Sequence, residues 1–178
     1  LHSNKIEGIV INNRDISNGD RFLTFLSNSG YVGNFLVKGI SYSKNRNIES
    51  TSILSFSQLT VSNNYVSDIY LIEPFSYSSL ENLKIALYSL KLINYFIQEN
   101  QEYKYVYDYL LNIIKNKNCS LTDLKCFMVN ISESEGIYDA NYHIYLDRDI
   151  LVIESLESSI QKYLDIKINF NSFMDYMF

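Results

Sequence analysis

Between Ile6 and Ile72 the chain passes through five short apolar stretches separated by polar turns, and this punctuation limits the fold more than any other feature. Ile6–Ile11 is apolar and β-branched, and Ser17-Asn18-Gly19-Asp20 turns it into Arg21–Leu26. Asn28-Ser29-Gly30 leads into Tyr31–Val37. A polar loop, Ser41–Ser50, precedes the alternating stretch Ile53–Val61, and Asn63-Asn64 turns the chain into Tyr65–Ile72. Five short strands in about seventy residues suit a small closed barrel, because closure removes exposed strand edges. Both an OB-like and an SH3-like barrel fit that count.

The apolar period changes at Pro74. Ser78 and Glu81 read as a capping box, and Leu80, Leu83, Leu87, Leu90, Ile93 and Ile97 then recur at helical spacing to about Glu99. A second helix fits Tyr103, Val106, Tyr107, Leu110, Ile113 and Ile114. Ser120 with Asp123 opens a third, carrying Leu124, Phe127, Met128 and Ile131, and Gly136 is placed to end it. Tyr142–Leu146 and Ile150–Ile153, flanking Asp147-Arg148-Asp149, read as a hairpin. Leu156, Ile160, Tyr163 and Leu164 make a short helix, and Phe170, Phe173, Met174 and Met177 a terminal one. The expected class is α+β: an N-terminal OB-like five-stranded β-barrel packed on a C-terminal α-helical domain, with the boundary between residues 73 and 74.

The 178 residues carry a net charge of −5, unevenly spread. Residues 1–73 hold six cations against six anions, and the rest nine against fourteen. Within 14–46, however, Arg14, Arg21, Lys38, Lys44 and Arg46 face only Asp15 and Asp20. A basic segment ahead of an acidic remainder locates any polyanion contact in the first part. The 16 tyrosines do not by themselves mark base-stacking platforms, since abundant Tyr, Asn and Ile with scarce Ala and Pro reflect an AT-rich genome.

The inventory for chemistry is poor. His2 and His143 form no spaced set with Cys119, Cys126 or a carboxylate pair, so no metal site is expected. No phosphate-binding loop, dinucleotide fingerprint or nucleophile elbow occurs, and neither an enzyme nor a cofactor is expected. Two cysteines seven apart suggest a reducing cytoplasm. No run approaches the ~20 apolar residues of a membrane helix, and Leu1–Lys5 lacks the apolar core of a secretory signal, so no membrane partner is expected.

Several segments, in order, resemble the bacterial DNA repair protein RecO family. Glu7-Gly8-Ile9-Val10 with Asn18–Thr24 is similar to its first hairpin, and Gly30-Tyr31 with Val37-Lys38-Gly39 to the segment before its basic loop. Leu71-Ile72-Glu73-Pro74-Phe75 through Ala86–Leu90 resembles the family's barrel-to-helix junction most closely. Tyr163–Lys167 with Ser172-Phe173-Met174 resembles its last helices. The loop Gly39–Arg46 carries fewer cations than the family's, Ile131–Tyr138 is more acidic than the corresponding helix, and the four-cysteine zinc element is missing.

The resemblance implies an OB-fold nucleic-acid-binding domain over 1–73 and a RecO-like helical domain over 74–178. It also implies a recombination mediator located in the bacterial cytoplasm with the nucleoid. Such a protein binds single- and double-stranded DNA without sequence preference and promotes annealing. With RecR and single-strand-binding protein it loads RecA. An interaction scaffold with decayed DNA binding, contacting RecR or single-strand-binding protein, is the alternative; an OB-fold RNA binder is a third reading. The DNA contacts expected are Lys38, Lys44 and Arg46, with Arg14 and Arg21, because phosphate neutralisation releases condensed counterions. Tyr42 is the favoured stacking residue, ahead of Tyr31; Phe35 reads first as core. Lys125, ahead of Phe127, falls where relatives receive the acidic C-terminal tail of single-strand-binding protein, and an ordinary surface lysine fits equally.

Overall fold

A computed structural model describes residues 3–43, 47–98, 101–137 and 148–170. Strands β1 (Asn4–Asp15), β2 (Arg21–Ser27), β3 (Val32–Val37), β4 (Phe56–Ser62) and β5 (Tyr65–Glu73) close into a barrel in the order β1-β2-β3-β5-β4. The neighbours run antiparallel except β3 and β5, which are parallel and pair only at Leu36–Tyr65 and Val37–Val66. This Greek-key closure is the OB-like arrangement, which decides against the SH3-like alternative. Val10, Leu23, Phe25, Val37, Leu59, Val61, Val66 and Ile69 fill the interior.

Two local features depart from simple alternation. The β1–β2 register slips between Val10 and Asn12, so Ile11 is an extra residue that bends β1. The fourth strand starts at Phe56, three residues later than its apolar pattern predicts, because Leu54 sits at φ 62°. The Leu54 N–H instead donates to the Val10 carbonyl at 2.7 Å, and the Val10 N–H to the Ser55 carbonyl at 3.1 Å.

Helices follow at α1 (Leu80–Phe96), α2 (Lys104–Asn116), α3 (Leu121–Ser134) and α4 (Asp149–Leu164). Backbone contacts divide the chain into two compact units, Leu1–Ser76 with Phe96–Lys117, and Tyr77–Tyr95 with Asn118–Phe178. In the first, α2 returns to the barrel. The Tyr103 N–H donates to the Gly30 carbonyl at 2.8 Å, and Tyr31 bridges to Glu102. Gly30, at φ 91°, would place a Cβ 2.6 Å from the Lys104 backbone nitrogen, so only glycine permits this approach.

In the second unit, Tyr88, Leu92, Leu124, Met128, Val152, Leu156 and Ile160 are fully buried. Helix α3 has the expected ends. Ser120 and Asp123 form the capping box, and Gly136 at φ 69° closes a Schellman turn, its N–H on the Glu133 carbonyl and that of Ile137 on Ser132. Helix α1 starts differently from the expected Ser78–Glu81 box. Ser79 Oγ accepts the Asn82 N–H at 3.2 Å, while the Asn82 side chain also reaches the Cys119 carbonyl at 2.8 Å.

The hairpin expected around Asp147–Asp149 is corrected in its second half. Ile150–Ile153 opens α4, and Val152, Ile153, Leu156 and Ile160 form one buried helical stripe. The β-branched run was too short to separate the two periods, and the continuation to Ile160 decides for the helix. Tyr142–Leu146, and Phe173, Met174 and Met177 of the expected terminal helix, lie outside the described residues.

Candidate nucleic-acid interface

The strand registers bring four residues, widely separated in sequence, into one row across the barrel's outer surface. Arg14 pairs with Phe22, Phe22 with Leu36, and Leu36 with Tyr65. A second row, Asn12, Thr24 and Asn34, runs beside it, with Thr24 Oγ1 donating to Asn34 Oδ1 at 2.9 Å. Two open pockets over these rows, of about 330 and 480 Å³, share Phe22 and Asn34 and extend to Asn63 and Asn64 of the β4–β5 turn. That turn is fixed to β3 by the Leu36 N–H, which donates to the Asn64 carbonyl at 2.9 Å.

Phe22 is 36% exposed and Tyr65 51%, high values for aromatic rings on a sheet face. Lys38 continues the outward set of Asn34 and Leu36 by strand alternation, and its Nζ stands 4.8 Å from the centre of the Tyr65 ring. Arg14 is exposed and makes no ion pair among the described residues. The face therefore presents flat rings flanked by cations.

The other expected contacts are distributed differently. Arg21 has the opposite strand parity from Phe22. Its Nε lies 2.6 Å from Asp15 Oδ1, and its Nη1 donates to Thr51 Oγ1 at 2.7 Å. Tyr42 is 76% exposed and lies over Gly19 of the β1–β2 turn, where a glycine Cβ would meet its ring at 2.4 Å. Asp20 Oδ1 accepts the Gly39 N–H at 2.7 Å, tying the same turn to the start of the basic loop. Lys44 and Arg46 lie outside the described residues.

Phe35 packs edge-on against Phe25 at 6.2 Å and joins the barrel core, whereas Tyr31 is half-exposed at the β2–β3 turn. In the other unit, Lys125 on α3 is held by Asp149 of α4 at 2.6 Å. Sequence reasoning missed Phe22 and Tyr65. Their aromatic character was visible, but their shared row depends on strand register.

Among the described residues no group of three or more His, Cys, Asp or Glu side chains is arranged to hold a metal ion, and no helix is long and apolar enough to cross a membrane. No protein-family model and no curated protein sequence matches the chain.

Proposed function

We propose that this protein binds single-stranded nucleic acid on the Arg14–Phe22–Leu36–Tyr65 row and acts as a recombination mediator of the RecO type. In that role it holds single- and double-stranded DNA without sequence preference, promotes annealing of complementary strands, and loads RecA together with RecR and single-strand-binding protein. It works by binding, without turnover, in the bacterial cytoplasm at the nucleoid.

The observation that carries the reading is the pair of exposed rings, Phe22 and Tyr65, in one row between Arg14 and Lys38. Every base has a π-face, so such rings stack on bases irrespective of sequence. The flanking cations neutralise phosphates and release counterions. The ordered resemblance from Glu7 to Met174 supplies the assignment to recombination.

The test is fluorescence anisotropy of a labelled single strand against salt. Three to five phosphate contacts give a log–log slope of about −2 to −3.5, and a flat dependence removes the assignment. The scaffold reading has one observation in its favour, since Arg21 is already occupied by Asp15 and Thr51. An annealing assay separates the two: annealing by the isolated protein supports the mediator, and activity only with RecR or single-strand-binding protein present supports the scaffold.

A further inference from the structure

The β2–β3 end of the barrel holds a second feature, a cavity of about 480 Å³ that the aromatic row does not include. Ile6, Val32 and Phe35 form its apolar wall, with Phe25 edge-on behind Phe35, and the half-exposed ring of Tyr31 borders it. Its polar groups are hydroxyls and amides. Ser27 Oγ and Ser29 Oγ are 2.8 Å apart, Asn28 stands beside them, and Gln58 Nε2 donates to Glu7 Oε1 at 3.0 Å.

Charge chemistry narrows the ligand. The lining contains one cation, Lys5, and one anion, Glu7, the latter already engaged by Gln58. A phosphate or carboxylate needs converging cations, which this lining lacks. Apolar and aromatic walls with neutral donors and acceptors suit a planar, uncharged heteroaromatic ring.

The position of the cavity connects it to the outer row. Val32–Phe35 pair with β2 on one side, but because β3 meets β5 only at Leu36 and Val37, their other edge carries no strand partner among the described residues. Gly33 and Phe35 border the cavity, whereas Asn34 between them borders the outer pockets. The two sites therefore occupy opposite sides of one strand. Gly33 adds no side chain at this point, and the Phe35 ring lies across it, 2.8 Å from where a Cβ would stand.

We propose that this cavity receives one unstacked nucleobase from a strand whose backbone follows the Arg14–Tyr65 row. The inference rests on the nucleic-acid reading above. Phe35 and Tyr31 hold the base by its faces, and the Ser29 and Gln58 groups meet its edge, while the Ser27 hydroxyl, bonded to both the Tyr31 carbonyl and the Tyr31 N–H, fixes the turn that carries them.

The experiment uses the full chain and a single-stranded oligodeoxynucleotide of alternating thymine and 2-aminopurine. Ser29→Trp fills the cavity and Tyr31→Ala removes its bordering ring; neither alters a cation. Binding to the wild type should change the 2-aminopurine fluorescence. Both variants should diminish that change and weaken affinity about fivefold or more, with the salt slope retained. Folded variants that keep wild-type fluorescence change and affinity overturn the base site while leaving the strand assignment standing. Absence of strand binding by the wild type overturns both. If Ser29→Trp does not fold, as read by circular dichroism, Tyr31→Ala alone decides, since that ring is half-exposed.

Discussion

Arg21 Nε lies 2.6 Å from Asp15 Oδ1 across the β1–β2 ladder, and the same guanidinium donates to Thr51 Oγ1 at 2.7 Å. The hydrogen bond from Arg21 holds the Asp15 carboxyl below its ordinary 3.8, so its contribution is present above that value and fades as pH falls through the folded-state value. Arg21→Gln is expected to cost roughly 1–2 kcal/mol of stability through the lost bond to buried Thr51. Strand binding should keep its salt slope, whereas Arg14→Gln should flatten it by about 0.7. Denaturant unfolding and salt titrations of both variants test this; equal loss of slope would place Arg21 in the interface.

Phe22 and Tyr65 carry the stacking proposal. Phe22→Ala should weaken single-strand binding by about 1–3 kcal/mol without changing the salt slope, and Phe22→Tyr should largely restore it. Anisotropy titrations at two salt concentrations are sufficient. Wild-type affinity in Phe22→Ala would assign the ring to packing against Leu36 and Tyr65 alone.

In the helical unit, the Tyr88 hydroxyl donates to Glu157 Oε1 at 2.5 Å, and the Tyr88 ring meets Phe170 edge-on at 5.0 Å. Burial pushes the Glu157 carboxyl above its ordinary 4.5, against the opposing pull of hydrogen bonds from Tyr88 and the Phe170 backbone. A raised carboxyl contributes stability that is full below the unfolded value and lost as pH rises through the folded one. Burial, together with the hydrogen bond to Glu157, keeps the Tyr88 phenol far above its usual range, so it stays a donor. Tyr88→Phe should therefore cost about 1–3 kcal/mol, and more near pH ~8 than near pH ~4, because it withdraws a donor from the ionised carboxylate. Urea unfolding at the two pH values reads the difference; identical losses would mean the hydroxyl acts independently of the Glu157 charge.

Lys125 and Asp149 join α3 to α4, with Thr122 Oγ1 donating to the second Asp149 oxygen at 2.5 Å. Hydrogen bonds from Lys125 and then Thr122 hold Asp149 below its ordinary 3.8. Lys125→Gln should cost about 0.5–1 kcal/mol near neutrality, fading as pH falls through the folded Asp149 value. If Lys125 also receives an acidic peptide tail, the substitution should weaken that peptide's binding in a calorimetric titration. Unchanged peptide affinity would leave Lys125 as an interhelical tie.

Much of this architecture was legible in the sequence. The turn signals at Ser17–Asp20, Asn28–Gly30 and Asn63-Asn64 separate strands whose apolar alternation is local, and the Ser120–Asp123 cap and Gly136 stop are local as well. Local backbone chemistry sets such boundaries, so they survive without tertiary information. Ile150–Ile153 is ambiguous in sequence because four β-branched or aliphatic residues fit either period, and only burial with Leu156 and Ile160 resolves it as helix.

What the chain determined by itself is thus the existence of a five-stranded barrel followed by helices, and the concentration of cations in residues 14–46. Tertiary structure decided which of those cations share a face. Val10 is in the barrel core and Arg14, four residues later, is outside, although strict alternation would put both on the same side. The extra residue at Ile11 shifts the phase of β1 by one, turning Arg14 outward beside Phe22. A side-chain period of two makes every later residue depend on that single insertion, and pairing with β2 creates it.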